Sequence, residues 1–344
     1  MTAWAVGTPA PAASEPLVAV DRPKPEPATG QIRVRVTACG VCRTDLHLAE
    51  GDLPPRRHLT VPGHEIVGVV DALGAGGSRF EPGQRVGIAW LRSTCGRCRW
   101  CRAGSENLCE RPRFTGWDDD GGFAEWAVAD EAYAYALPDR YDDVHAAPLL
   151  CAGIIGYRSL RRTDLPPGGR LGIYGFGASA HLTAQVALAA GATVHVMTRS
   201  ADARELALEL GVHSAGLADA PPPEPLDAAI VFAPAGELVP VALRALDRGG
   251  KAVLAGIHMS PIPPLDHRRE LFDERELRTV TANTRRDGEE FLAIAANLDL
   301  HVVAQPYPLG AANQALRDLA EDRIRGAAVL IIDDATSPQG ATTR

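Results

Sequence analysis

Apolar and polar residues alternate along the first part of the chain in short runs that glycine and proline interrupt. The run QIRVRV (residues 31–36) places an apolar side chain at every second position, which is the period of a half-buried β-strand. The runs EIVGVVDALG and GQRVGIAW have the same character, each bounded by turn-forming residues. Many short strands with such punctuation predict a β-rich, barrel-like domain.

After about residue 146 the pattern changes to apolar strands that alternate with helices. RLGIYGF and ATVHVMT are predicted strands, and ASAHLTAQVALAAG and ADARELALELGV are the helices predicted to follow them. LDAAIVFAP and KAVLAGI add two more strands, with LVPVALRALDRGG predicted as the helix between them. Such alternation predicts an α/β fold with a doubly wound parallel sheet.

Length and charge narrow the classes of protein that this chain can represent. Its 344 residues suggest about two domains, and its net charge of −8 does not favour binding to nucleic acid. The N-terminus lacks the basic and then apolar segments of a secretory signal. Residues 171–198 carry no acidic residue, lysine or arginine, but glycines interrupt them, so a membrane span is not expected. We therefore expect a cytoplasmic protein without a membrane or nucleic acid partner.

Seven cysteines in a chain expected to be cytoplasmic favour metal binding over disulfides. Four of them lie in the segment CGRCRWCRAGSENLC, namely Cys95, Cys98, Cys101 and Cys109. Four thiolates close a tetrahedral shell around one zinc ion, and a closed shell has a structural role. An iron–sulfur cluster is the alternative, but the spacing does not match the bacterial ferredoxin pattern.

The other three cysteines are Cys39, Cys42 and Cys151, and the segment VPGHEIVG carries His64 followed by Glu65. Two thiolates and one imidazole are the ligand types of a catalytic zinc site that keeps one position open. Cys39 and Cys42 also have the CxxC spacing of a redox pair, although the βαβ pattern that accompanies such pairs begins much later. The residues alone leave both interpretations open, as well as a purely structural role for His64.

The segment LGIYGFGASAH contains Gly175, Gly177 and Ala180 as G-x-G-x-x-A. It follows an apolar strand directly and opens a predicted helix. In the dinucleotide-binding fingerprint, glycines at these positions let the backbone approach the pyrophosphate, and the helix N-terminus faces its charge. We therefore expect a bound dinucleotide here.

The end of the next strand normally carries an acidic residue that binds the adenine ribose. At this place the chain has Thr198, Arg199 and Ser200. A guanidinium can pair with a 2′-phosphate, which a carboxylate would repel. The cofactor preference therefore tilts modestly towards NADP over NAD, even though Asp202 is near.

Together, these segments resemble the zinc-dependent alcohol dehydrogenases of the medium-chain dehydrogenase/reductase superfamily over nearly the whole chain. The matching segments, in the family's order, are CGVCRTDLH, VPGHEIVGVV, CGRCRWCRAGSENLC, PLLCAGIIGYRSL and YGFGASAH. The resemblance implies a GroES-like catalytic domain over residues 1–148 and 286–344, and a Rossmann cofactor domain over residues 149–285. It also implies two zinc ions per chain, one catalytic and one structural, and a homodimer or homotetramer.

The resemblance also implies roles for single residues. Cys42, His64 and Cys151 correspond to the ligands of the catalytic zinc. Glu65 resembles a carboxylate that approaches the metal, and Asp45 resembles one that orients a ligand histidine.

Further roles follow from the same resemblance. Arg43 corresponds to a contact with the cofactor pyrophosphate, and Thr44 and His47 correspond to a proton relay. Trp90 and Trp117 resemble positions near the substrate pocket, with ordinary barrel core as the alternative.

The implied reaction belongs to the EC 1.1.1 type. It interconverts alcohols with aldehydes or ketones by hydride transfer to or from NAD(P), with zinc as the Lewis acid. A binding protein that retained the fold without catalysis is the alternative.

Overall fold

The computed structural model describes residues 1–332 of the chain, so the last residues of the predicted segment 286–344 lie outside the described part. The N-terminal region is built mainly from strands, as predicted. They are β1 (Thr2–Val6), β2 (Leu17–Asp21), β3 (Gln31–Val41), β4 (Glu65–Leu73), β5 (Arg85–Ile88), β6 (Leu91–Ser93), β7 (Arg113–Phe114), β8 (Trp126–Asp130) and β9 (Ala134–Ala136). Its helices are α1 (Arg43–Glu50), α2 (Arg99–Arg102) and α3 (Asp143–Ala146).

Strand β3 shows why the alternation of apolar and polar residues correctly predicted a strand. Ile32, Val34 and Val36 are all buried in the core, whereas Arg33 and Arg35 between them are partly exposed. The two faces of a strand therefore meet different environments, and the sequence follows that period. After Val41 the chain turns directly into α1.

The next region begins with α4 (Ala152–Arg162) and forms a six-stranded parallel sheet. Its strands are β10 (Arg170–Tyr174), β11 (Thr193–Met197), β12 (Ser214–Gly216), β13 (Leu226–Val231), β14 (Leu246–Leu254) and β15 (Glu276–Thr279). The helices between them are α5 (Ala178–Ala189), α6 (Ala201–Glu209) and α7 (Leu238–Ala245). The strand order is β12-β11-β10-β13-β14-β15, so the winding direction reverses between β10 and β13. In such sheets the reversal opens a ligand crevice at the carboxyl ends of the strands.

One predicted helix is too long. The sequence LVPVALRALDRGG was predicted as a helix throughout, but α7 ends at Ala245 and Leu246 already pairs with Leu226 of β13. Leu246 is buried and extended, and Gly249 has a φ of 70°, a left-handed conformation that does not occur within a helix. Pairing with the sheet therefore overrides helix propensity in the LDRGG segment.

The C-terminal elements return to the N-terminal sheet. They are α8 (Arg285–Asn297), β16 (Ala304–Pro308), α9 (Ala312–Ala320) and β17 (Ala327–Ile331). Strand β17 pairs antiparallel with β3, which places Leu330 opposite Cys39. The resulting order is β16-β17-β3-β4-β5-β9, with β8 also paired to β3. The C-terminal strands β16 and β17 thus extend the sheet of the N-terminal region, while β1 and β2 form a separate two-stranded sheet. The predicted domain boundaries themselves stay predictions.

Helices in residues 1–332 are either too short or too polar to cross a lipid bilayer. The buried alanine-rich helix α5 instead packs on the parallel sheet. Its neighbour in this packing is α4, whose first turn follows Cys151. This contact brings the start of α4 next to the two sheets that carry the chemistry described below.

Candidate active site

Cys42 lies at the N-terminal end of α1, where its side chain caps the helix. Its Sγ accepts a hydrogen bond from the Thr44 backbone N–H at 3.3 Å. The Cys42 N–H in turn donates to the Asp45 carboxylate at 2.9 Å, which completes a capping box. Free N–H groups at the first turn of a helix stabilise negative charge, so this position favours a thiolate.

His64 reaches Cys42 from the turn that precedes β4. Its Nε2 lies 3.1 Å from the Sγ of Cys42, and its Nδ1 lies 3.4 Å from Oδ1 of Asp45. Gly63 before it has a φ of 98°, and a Cβ there would stand 2.7 Å from the Sγ of Cys39. Only glycine fits this turn, and the turn aims the imidazole. Asp45 is itself held by the Gly63 N–H at 2.9 Å.

Cys151, immediately before α4, completes a four-residue group. The ligand atoms of Cys42, His64, Glu65 and Cys151 all lie within 4.8 Å of one another. The Glu65 carboxylate has space because Gly40 lies opposite it, where any Cβ would collide with Oε2. The structure therefore brings together the three predicted ligands and the predicted nearby carboxylate.

The protonation equilibria of this group are strongly coupled. Burial alone would raise the pKa of Cys42, but the hydrogen bond with Cys151 and the charge of His64 hold it well below its usual range. That same hydrogen bond, together with burial, raises the pKa of Cys151. Burial also raises the pKa of Glu65, and the charge of Cys42 adds to this effect.

His64 shows the opposite balance. Burial favours its neutral form, but the charges of Cys42 and Asp45 outweigh burial and raise its pKa well above the usual range. Two thiols and two carboxyl groups cannot all ionise in a buried space unless positive charge compensates them. A divalent metal ion supplies that charge, and a set of two sulfurs and one imidazole suits zinc.

Cys39 does not belong to this group. It lies on β3 and is fully buried, and its Sγ donates to the neighbouring Gly40 carbonyl at 3.6 Å. Burial raises the pKa of its thiol well above the usual value. Cys42 thus lies with His64, Glu65 and Cys151, and Cys39 is not part of that group.

A second thiol group lies in the loop between β6 and β7. The Sγ atoms of Cys95, Cys98, Cys101 and Cys109 all lie within 4.8 Å of one another. Backbone N–H groups donate to these sulfurs, for example from Cys98 to Cys95 at 3.4 Å. Such hydrogen bonds, that of Cys101 foremost, lower the pKa of Cys98 to about 6. Four thiols in this geometry suit a closed structural zinc site.

This cysteine loop is attached to the chain far downstream, which the sequence did not reveal. The Arg285 guanidinium makes a two-pronged ion pair with Glu106, with distances of 3.0 and 2.8 Å. The Asn107 amide donates to the Thr281 carbonyl at 2.9 Å. These contacts join the loop to the segment that leads into α8. No pattern of neighbouring residues in the sequence predicts them.

Thr44 and His47 lie one turn apart on α1, so their side chains share a face of the helix. Thr44 is buried, whereas His47 is partly exposed. The Nδ1 of His47 lies 3.0 Å from Oδ2 of Asp52, and its ring lies 5.2 Å from that of His258. Asp52 and His258 were not anticipated, because neither belongs to a recognisable motif.

The two predicted pocket tryptophans belong to one aromatic cluster. Trp90 contacts His64 edge-on, with 4.8 Å between ring centroids, and it stacks on Phe114 at 4.9 Å. Trp117 stacks on Trp90 at 6.1 Å and donates its indole N–H to the Pro54 carbonyl. Trp90 thus borders the candidate metal site directly, and Trp117 lies one ring further away.

The glycine motif lies at the carboxyl end of β10, on the crevice side of the sheet reversal. Gly175 has a φ of 85°, and a Cβ there would stand 2.8 Å from the Ala233 nitrogen. A Cβ on Gly177, which begins α5, would meet nothing within 4 Å, so the space before the helix is open. Ala180 is fully buried against the sheet. These features fit a bound pyrophosphate at the helix N-terminus.

The three residues after β11 differ in accessibility. Thr198 is buried, and its N–H donates to the Gly216 carbonyl. Ser200 caps α6 by accepting from the Ala203 N–H at 3.3 Å. Arg199 is exposed, and its guanidinium donates to Asp322 at 2.6 Å. Arg199 and Ser200 are exposed, and of these two only Arg199 carries a charge.

Arg43 follows Cys42 and begins α1. Its guanidinium also donates to Asp322, through the other carboxylate oxygen. Asp322 lies in the loop between α9 and β17, far from both arginines in sequence, and was not anticipated. The structure thus brings together the two arginines that were predicted to contact cofactor phosphates.

Comparisons with known proteins agree with this arrangement. Two family models match the chain in order, the alcohol dehydrogenase GroES-like domain over residues 28–139 and the zinc-binding dehydrogenase over residues 180–297. The chain is 58% identical over 337 residues to the "Probable alcohol dehydrogenase AdhA" of Mycobacterium tuberculosis (strain CDC 1551 / Oshkosh), which covers 96% of this chain and 97% of that protein.

Two solved structures show the same fold. A cinnamyl alcohol dehydrogenase from Sorghum bicolor superposes with a TM-score of 0.86 at 28% identity and covers 99% of both chains. A cobalt- and zinc-bound thermostable alcohol dehydrogenase from Pyrobaculum aerophilum superposes with a TM-score of 0.87 at 25% identity, covering 96% of this chain and 99% of that one.

The predicted fold class, a GroES-like region combined with a Rossmann-type α/β region, is confirmed by these likenesses. They give no support to the alternative of a non-catalytic binding protein. The buried thiol–imidazole group, the glycine motif and the family matches lead to one conclusion. The chain belongs to the alcohol dehydrogenase family of the medium-chain dehydrogenase/reductase superfamily and is an oxidoreductase.

Proposed function

We propose that the protein is a zinc-dependent, NAD(P)-dependent alcohol dehydrogenase with one catalytic and one structural zinc ion per chain. The proposal depends on one observation, the convergence of Cys42, His64 and Cys151 from three separate segments into one group around the buried His64. Cys95, Cys98, Cys101 and Cys109 would hold the structural ion.

Bound zinc would supply a Lewis acid that lowers the pKa of the alcohol oxygen, and a bound nicotinamide would accept the hydride. Cys42, His64 and Cys151 would hold the metal. Asp45 would orient the imidazole of His64 through its contact with Nδ1. Glu65 would occupy the remaining space beside the metal until substrate arrives. Trp90 would narrow the pocket next to His64.

The proton of the alcohol would leave along α1. The Thr44 hydroxyl oxygen would accept it in the buried part of the site and give up its own hydroxyl proton, and His47 would release a proton to solvent at the partly exposed end of the relay. The hydrogen-bonding distance between His47 and Asp52 would orient the imidazole. The substrate class is accordingly a small-molecule alcohol, aldehyde or ketone.

Gly175, Gly177 and Ala180 would hold the pyrophosphate together with Arg43. Thr198 and Ser200 would shape the ribose pocket, and Arg199 would pair with a 2′-phosphate. The exposed guanidinium and the absence of an acidic side chain at residues 198–200 support NADP over NAD. A homodimer or homotetramer is proposed on the family resemblance alone, and its test is the molar mass in solution.

The test compares two cysteines that are close in sequence and different in setting. Cys42→Ala should leave one zinc ion per chain by elemental analysis and abolish alcohol-dependent reduction of NAD(P). Cys39→Ala, a change of the same kind at a thiol outside the group, should keep two ions and activity. A Cys42→Ala variant with full turnover would refute the proposal.

A steady-state comparison of NAD with NADP, across primary, secondary and aromatic alcohols, tests the cofactor preference. We expect a higher kcat/KM with NADP. The reverse order would show that Arg199 does not select the 2′-phosphate.

A further inference from the structure

Asp322 joins three segments that are distant in sequence. One carboxylate oxygen accepts a hydrogen bond from Arg43, at the start of α1, and the other accepts from Arg199, after β11, at 2.6 Å. The backbone N–H of Asp322 donates to the Leu319 carbonyl at 3.3 Å, which holds the loop against the end of α9. A single carboxylate therefore holds both guanidinium groups at the edge of the proposed cofactor cleft.

These two arginines are the ones proposed to bind the cofactor phosphates. Carboxylate and phosphate oxygens use the same guanidinium donors and make the same kind of charge-assisted hydrogen bond. Asp322 occupies the Nη2 donor of each guanidinium and partly neutralises its charge, so a phosphate that approaches the same side of either arginine meets a competing anion. The carboxylate and the cofactor therefore compete for both side chains.

The exposure of the three groups allows this exchange. The exposed fractions of the side chains are 44% for Arg43, 52% for Asp322 and 85% for Arg199. Ion pairs between exposed groups are weak and screened by salt. Asp322 can thus be displaced by an anion of higher charge. The loss of its two ion pairs nevertheless makes the free energy of cofactor binding less favourable.

Resting on the proposed function, we propose that Asp322 is a built-in competitor for the cofactor phosphates and a determinant of cofactor choice. NADP must displace Asp322 from both arginines, because it carries a pyrophosphate and a 2′-phosphate. NAD needs only Arg43 to be released. Asp322 therefore weakens the binding of NADP more than that of NAD. It reduces the preference for NADP over NAD that Arg199 creates.

The test replaces Asp322 with Asn and measures the Kd of NADP and of NAD by calorimetry on the full chain. Asp322 has a φ of 54°, a conformation that Asn adopts readily, so the Asp322→Asn change keeps the loop. Two exposed ion pairs of ordinary strength correspond to about a threefold to tenfold decrease in the Kd of NADP. The Kd of NAD should decrease less.

Glu321→Gln is the matched control. Glu321 is the adjacent residue, the charge change is the same, and its ion pair is with Arg323 rather than with Arg43 or Arg199. We expect no selective gain for NADP in this variant. In the background of Arg199→Ala, the Asp322→Asn change should lose its selectivity for NADP, since the guanidinium that it would free is gone.

The outcomes separate the two proposals. If the wild-type chain binds neither nucleotide, the proposed function fails and this inference falls with it. If the wild type binds both and Asp322→Asn binds NADP no more tightly, only the inference is overturned. Weaker binding by Asp322→Asn would also overturn it, because Asp322 would then organise the two arginines for the cofactor instead of competing with it.

Discussion

The two thiol groups of this protein are assembled in different ways. Cys95, Cys98, Cys101 and Cys109 come from one short loop, and three of them are partly exposed. The other group draws Cys42, His64, Glu65 and Cys151 from a helix start, a turn, a strand and a second helix start, and its His64 and Glu65 are buried. One is a local structure, and the other exists only when the whole fold is formed.

This difference has chemical consequences. In the cysteine loop, backbone N–H groups stabilise the sulfurs, and four thiols fill a tetrahedral shell completely. In the group around His64, side chains from different segments set the charge balance, and the three proposed ligands would leave one position of a tetrahedral metal open for substrate. The four-cysteine loop is suited to stabilising the fold, and the group around His64 is suited to catalysis.

The same substitution in each group tests this contrast, with the larger effect expected in the buried one. Cys151→Ser should lower the turnover of alcohol by about 1,000-fold or more, because a Lewis acid contributes several kcal/mol to the transition state. Steady-state rates measure the loss, and circular dichroism should show an intact fold. Near-normal turnover in a folded variant would exclude Cys151 as a ligand.

Cys98→Ser should act on stability instead. Loss of a metal site is among the strongly destabilising changes, about 3 kcal/mol or more, which lowers the melting temperature of a chain this long by roughly 4 °C or more. The folded variant should retain most of its activity at low temperature, since the loop contributes no group to the buried cluster. A variant with normal melting and lost activity would reverse the assigned roles.

Asp45→Asn should weaken metal binding only in the buried group. The carboxylate faces Nδ1 of His64, and partners of this kind are worth about 10–100-fold in metal affinity. Competition with a chromogenic chelator should show one weakened zinc ion and one unchanged. Asp52→Asn is the control, because Asp52 contacts His47 and not His64; equal weakening in both variants would contradict the assignment.

Glu106→Gln should have the smallest effect, on the attachment of the cysteine loop. It removes the charge that pairs with Arg285, which is partly exposed, so we expect a loss of about 1 kcal/mol and a melting temperature lower by roughly 1–2 °C. Two zinc ions should remain bound. Glu110→Gln, in the same loop, is the control because no ion pair of Glu110 occurs among residues 1–332; a larger effect there would show that Glu106 does not anchor the loop.

Much of the fold could be predicted because its signals are local. Alternation in β3 and the apolar strand before Gly175 reflect the burial of neighbouring residues. The prediction of a helix through the LDRGG segment was wrong, because pairing with the neighbouring strand β13 sets the conformation there. Long-range pairings such as Glu106 with Arg285 leave no trace in nearby residues.

The sequence by itself determined the order of strands and helices, the four-cysteine loop and the glycine motif, because each depends on spacing along one segment. It left open which thiols accompany His64, and only the family resemblance proposed an answer. The tertiary structure decided that Cys39 stays on its strand while Cys42 and Cys151 meet His64 and Glu65, and that Asp322 reaches both arginines. These contacts depend on how distant segments pack, and packing is a property of the folded chain as a whole.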